Sequence, residues 1–144
     1  MSRRRFWELI QGMTEAGRTV LVSTHYLEEA EYCHRLALMN RGRLIALDAP
    51  SVVRRQLGGT LLELRVDDAV AAVRALHDLP EVDEATIFGR VVHVAVSDRE
   101  RARSAIAQRL GARGVGLAAM DEISPSLEDV FIALVRAQGG AVQG

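Results

Sequence analysis

Gly58-Gly59-Thr60-Leu61-Leu62-Glu63-Leu64-Arg65-Val66 divides the chain and opens its second half. The glycine pair is the clearest punctuation in the sequence, and the run after it alternates as a half-buried strand does. Downstream, Val70, Val73, Ala75, Leu76 and Leu79 recur at helical spacing over residues 67–79. Residues 82–88 and 91–96 read as two strands around Gly89-Arg90. Residues 98–110 read as a helix with Ala102, Ala105, Ile106 and Leu110 inward, and residues 115–123 as a last strand.

That order, strand-helix-strand-strand-helix-strand, is the split βαβ arrangement of a ferredoxin-like domain. Ser124-Pro125-Ser126 then starts a closing helix carrying Leu127, Val130, Phe131, Leu134 and Val135, and the glycine-rich end reads as a tail. Upstream of Gly58, Ser2 caps a helix with Phe6, Leu9, Ile10 and Met13 on one face, and Gly17 sits where such a helix would stop. Thr19-Val20-Leu21-Val22-Ser23 is a continuous apolar run, expected to form a strand buried on both faces of a parallel sheet. Thr24 and His25 close it, and residues 26–33 form a short acidic helix. Residues 35–39 and 43–47 make a hairpin around Asn40-Arg41-Gly42, and residues 52–57 a helix after Pro50-Ser51. The fold class is α/β (α+β), in three parts: residues 1–57, residues 58–137 and a flexible tail at 138–144.

Composition excludes several function classes. All 18 basic residues are arginine, so neither a Schiff-base lysine nor a phosphate-loop lysine exists here. The formal net charge of -1 gives no bulk attraction to nucleic acid, and none is expected as a partner. The lone Cys33 forbids an intrachain disulfide and fits a reducing cytosol. No apolar run reaches the length needed to cross a membrane.

Thr19-Val20-Leu21-Val22-Ser23-Thr24-His25-Tyr26-Leu27-Glu28-Glu29-Ala30-Glu31 resembles the switch-histidine region of ABC-type ATPases. Residues 35–46 resemble the hairpin that follows it. Ser124-Pro125-Ser126-Leu127-Glu128-Asp129-Val130-Phe131 is similar to the end of the C-terminal extension in ABC-2-type subunits of the drug- and polysaccharide-export branch. The resemblance covers the chain from just after the family's D-loop to the family's end. His34 departs from it, standing where Asp is more usual. It implies that residues 1–57 are the C-terminal part of a nucleotide-binding domain, a remnant of a P-loop ATPase parallel sheet with its hairpin. Residues 58–137 are then the C-terminal extension domain. It further implies a transport ATPase that uses ATP and Mg2+ in the complete protein, pairs with a second ATP-binding subunit as a homodimer, and docks on an integral membrane permease. The location implied is cytoplasmic, peripheral at the inner face of the membrane. The Gly-rich phosphate loop, the Leu-Ser-Gly-Gly signature and the Asp-Glu strand end of the family are all missing from the sequence. The chain alone is therefore expected to be inactive and to hold no cofactor. The alternative function is a non-catalytic regulatory, small-molecule-binding or dimerisation module.

His25 is the one catalytic candidate. The resemblance assigns it contact with the γ-phosphate, where an imidazole can stabilise charge on the transferring phosphoryl group. Adjacent Cys33 and His34 cannot aim both side chains at one ion, so no metal site is expected. His77 and His93 read as surface or core fillers, and Arg3-Arg4-Arg5 as a solvated first helical turn. Glu28, Glu29 and Glu31 are explained by the dipole of their helix. The loop 111–116 precedes a strand rather than following one, which excludes a dinucleotide site. An open apolar edge at residues 19–23 makes a chain starting near Gly59 the better-behaved piece.

Overall fold

The computed structural model describes residues 2–138, so the glycine-rich end at 139–144 lies outside the described residues. Helix α1 (Arg3–Glu15) starts at Ser2, whose hydroxyl accepts from the Arg5 N–H, and the chain leaves it through Gly17 at φ +86°. Trp7 fastens α1 inward, with its ring 5.6 Å from that of Tyr32. Helix α2 is a single turn, Leu27–Ala30.

The expected strand over residues 19–23 is not formed. The segment is irregular, and Leu21 is 98% exposed. A parallel strand is held by neighbours that supply its hydrogen bonds and cover its faces. Both sheets among the described residues are antiparallel, and neither includes this run. An apolar sequence without a ladder to join stays open.

Strands β1 (Leu36–Asn40) and β2 (Arg43–Asp48) pair antiparallel with Asn40 opposite Arg43. The two-residue loop has Arg41 at φ +52° and Gly42 at φ +75°, the mirror-image turn whose twist suits a hairpin. Helix α3 (Pro50–Arg54) follows with proline in its first turn, and residues Arg55–Leu57 tighten into a 3-10 turn.

Strands β3 (Thr60–Val66), β4 (Glu84–Phe88), β5 (Val91–Val96) and β6 (Leu117–Ile123) form one sheet in the order β4-β5-β3-β6. Helices α4 (Ala69–Leu76) and α5 (Arg99–Ala112) complete the split βαβ arrangement expected from the sequence. Helix α4 stops short of residue 79 because Pro80 disfavours the helical region for the residue before it. Leu62 and Leu64, with Val92, Val94 and Val96, bury one face of the sheet under Ala72, Leu76, Ile106 and Leu110. Arg109 ties the two helices together by donating to the Ala75 carbonyl at 2.9 Å and to Asp78 at 2.6 Å. The Arg109 hydrogen bond holds the Asp78 carboxyl below its usual range. The stability it adds is present near neutral pH and fades as acid protonates Asp78.

Helix α6 (Leu127–Ala137) lies on the other face of that sheet, and it also reaches back across the glycine pair. Leu127 and Val130 are buried with Ala30, Leu36, Leu38, Ala46 and Val53, all from the first part of the chain. Ile132 and Ala133 face Leu61 and Ala95 of the sheet. The closing helix thus packs on both parts of the chain.

Gly59 is the tightest point of the crossing. Its φ is +67°, and a Cβ there would stand 2.6 Å from the Val96 carbonyl oxygen. Gly59→Ala is expected to cost about 1–3 kcal/mol, read as a lowered urea midpoint at constant slope. An unchanged midpoint would show that β3 and β5 do not need this approach.

Candidate functional site

His25 sits in the irregular turn between the apolar segment and α2, and it is exposed. It therefore stands at a turn and not at a strand end, because the strand itself is absent. The turn is nonetheless built. The Tyr26 N–H donates to Thr24 Oγ1 at 3.0 Å, a side-chain-to-backbone bond across one residue. Thr24 Oγ1 in turn donates to Glu29 Oε2 at 3.2 Å. The His25 ring lies 4.1 Å from the Tyr26 ring, centroid to centroid. From α1, the Arg3 guanidinium carbon stands 3.7 Å from the Tyr26 ring centroid, and Arg3 Nε lies 3.3 Å from Glu29 Oε1. The site is a cluster of Arg3, Thr24, Tyr26 and Glu29 holding one exposed imidazole.

The acidic residues of this region are occupied in different ways. Glu29 is engaged with Arg3 and Thr24, Glu31 pairs with Arg54 of α3, and Glu28 points to solvent. Neither of the engaged pair is free for acid-base work. Cys33 is half-buried, and loss of solvent pushes its thiol up, so little thiolate exists near neutral pH. His34 is exposed beside it. Among the described residues, no three His, Cys, Asp or Glu side chains lie close enough to hold a metal ion.

Sequence reasoning missed His93. The alternation of β5 sends Val92, Val94 and Val96 to the core and His93 to the opposite face, where α6 lies. Its Nδ1 is 2.7 Å from Asp129 Oδ1, its Nε2 is 3.2 Å from Glu63 Oε2, and Phe88 stacks on the ring at 4.3 Å. The Asp129 side chain is only 4% exposed, and its other oxygen accepts from the Ser126 N–H and hydroxyl in a capping box. Arg136 pairs with Glu84 beside it. The Ser126-to-Asp129 spacing was visible in the sequence, but the partner on β5 was not. This cluster is a clasp for α6, since both ring nitrogens are taken by carboxylates. His77 is exposed at the end of α4.

What His25 can do chemically is offer a ring nitrogen to an anion from a fixed backbone turn, with the Arg3 cation close by. That cation is itself engaged with Tyr26 and Glu29.

Residues 49–135 match the family described as ATP-binding protein DrrA1-3-like, C-terminal domain. The daunorubicin resistance ATP-binding protein DrrA2 of Streptomyces coeruleorubidus is 33% identical over 141 residues, covering 92% of this chain and 43% of that protein. Nod factor export ATP-binding protein I of Paraburkholderia xenovorans (strain LB400) is 33% identical over 135 residues, covering 92% of this chain and 42% of that protein. A 56-residue stretch is 48% identical to the probable multidrug ABC transporter ATP-binding protein YbhF of Escherichia coli (strain K12), 39% of this chain and 10% of that protein. The chain thus spans less than half the length of these relatives. No helix among the described residues is long and apolar enough to cross a membrane.

Proposed function

The chain belongs to the family of DrrA1-3-like C-terminal domains of ATP-binding proteins, and from that premise we propose that it works as the C-terminal portion of an ABC-transporter ATP-binding subunit. The observation that carries the reading is the coincidence of two things. The similarity to DrrA2 and to Nod factor export protein I extends over 92% of the chain, and within it the one built, exposed imidazole is His25. In the complete protein, ATP hydrolysis with Mg2+ would drive export through a membrane permease, with two ATP-binding subunits facing each other at the inner face of the membrane.

In this reading His25 presents a ring nitrogen to the γ-phosphate and stabilises the charge spread over its oxygens as the terminal bond breaks. ATP supplies the phosphoryl group and the free energy of its transfer. The Tyr26 N–H bond to Thr24 closes the turn that carries His25, and the Tyr26 ring packs beside the imidazole. Residues 1–57 would carry this part of the nucleotide-binding domain, residues 58–137 would form the extension domain, and α6 joins the two.

The first test concerns the chain by itself. Most donors to a nucleotide's phosphates come from a Gly-rich loop with its lysine, and this sequence has no lysine. Calorimetric titration of the chain with ATP and Mg2+ is expected to give no binding in the micromolar range. Micromolar, magnesium-dependent affinity would place a complete nucleotide site within these residues and overturn the reading. A non-catalytic regulatory module is the second reading, favoured by the ferredoxin-like sheet, and it predicts a ligand for residues 58–137 that is independent of His25.

A further inference from the structure

We infer that Arg3 is a positioning residue for His25, joining α1 to the switch-histidine turn through Tyr26 and Glu29; this rests on the assignment of His25 above. The same guanidinium holds one chain neighbour of His25, Tyr26, directly and the other, Thr24, through Glu29. On one side Arg3 lies over the Tyr26 ring at 3.7 Å, and the Tyr26 ring is the surface against which the imidazole rests at 4.1 Å. On the other side Arg3 Nε holds Glu29 Oε1 at 3.3 Å, while Glu29 Oε2 accepts from Thr24 Oγ1. That hydroxyl accepts from the Tyr26 N–H and closes the turn. One cation therefore fixes the aromatic support and the hydrogen-bonded backbone together.

The arrangement is particular to Arg3 within its run of three arginines. Arg4 turns away to pair with Glu8 on the exposed side of α1. A guanidinium is suited to the task because it stacks flat on an aromatic ring while its edge still donates to a carboxylate. Lysine can satisfy the charge but not both geometries at once. The first turn of α1 and the His25 turn are far apart in sequence, so a change in the position of α1 is passed to the imidazole through this contact.

NMR of the 144-residue chain reads the coupling directly, because the Tyr26 ring current displaces the His25 ring protons. In Arg3→Ala those resonances should move towards the positions of an unstructured histidine. Arg3→Lys should place them partway, Glu29→Gln should move them in the same direction, and Arg4→Ala should leave them alone. Unchanged His25 resonances in Arg3→Ala would overturn the inference. In a complete subunit, Arg3→Ala should lower kcat roughly 10- to 100-fold with KM held within about twofold. The double variant Arg3→Ala, His25→Ala should be no slower than His25→Ala, since Arg3 acts through His25. An inactive His25→Ala beside a fully active Arg3→Ala defeats the role of Arg3 and leaves His25 standing. A fully active His25→Ala defeats the catalytic assignment, while the resonance shifts still report the coupling.

Discussion

His25→Ala, placed in a complete ATP-binding subunit carrying this segment, is expected to lower steady-state phosphate release by roughly two to three orders of magnitude. ATP affinity should stay within several-fold, because the phosphate loop and the metal supply most of it. The loss would then be a loss of transition-state stabilisation, visible in kcat and little in KM. His34→Ala and His77→Ala are the controls, since both side chains are exposed and neither contributes to the His25 turn. His93→Ala is a poorer control than its sequence position implied. It removes the partner of a buried aspartate, and its expected effect is on stability rather than on rate. Full activity in His25→Ala would remove the only catalytic role assigned to this chain.

The second large effect comes from cutting the chain at the glycine pair. The sequence suggested that a piece starting near Gly59 would behave better than the whole, because it sheds the open apolar segment. The packing of α6 reverses that expectation. Residues 59–138 keep α6 but lose Ala30, Leu36, Leu38, Ala46 and Val53, the residues that bury Leu127 and Val130. Uncovering two such side chains costs about 1.5–3 kcal/mol each, against a total of roughly 5–15 kcal/mol for an ordinary domain. Its melting midpoint is expected to fall by roughly 10–20 °C relative to the full chain, with dye binding to the exposed face. A piece starting at Ala49, where the family match begins, retains Val53 and Leu57 against the helix and should melt between the two. Equal midpoints for all three would mean that α6 gains nothing from the hairpin unit.

Much of the fold was legible because its signals are local. Alternation over β3 and β5 separates Leu62, Leu64, Val92, Val94 and Val96 from their outward neighbours without reference to anything distant. Ser2, Asp98 and Ser126 announce helix starts by their own side chains. The run at residues 19–23 misled because apolar content records a strand's burial but not whether its neighbours are at hand. His93 looked like a filler because both its partners, Glu63 and Asp129, are more than twenty residues away. Arg3 looked like a solvated charge for the same reason. His25 was picked out by the residues around it and by family resemblance, while the contacts that hold its ring became visible only once α1 was in place.

The double duty of α6 also sets an order of events. The hairpin β1–β2 can close early, since its strands are joined by two residues. Its inner side chains, Leu36, Leu38 and Ala46, wait for Leu127 and Val130, which a ribosome adds only after the whole of the four-stranded sheet. Contacts of such sequence separation form late and slowly. Until Ser126 emerges and α6 winds, the hairpin lacks Leu127 and Val130 as partners, and apolar surface waiting for partners is what folding helpers recognise and other chains adhere to. Helix α6 is in this sense the element that releases β1 and β2 from that exposure.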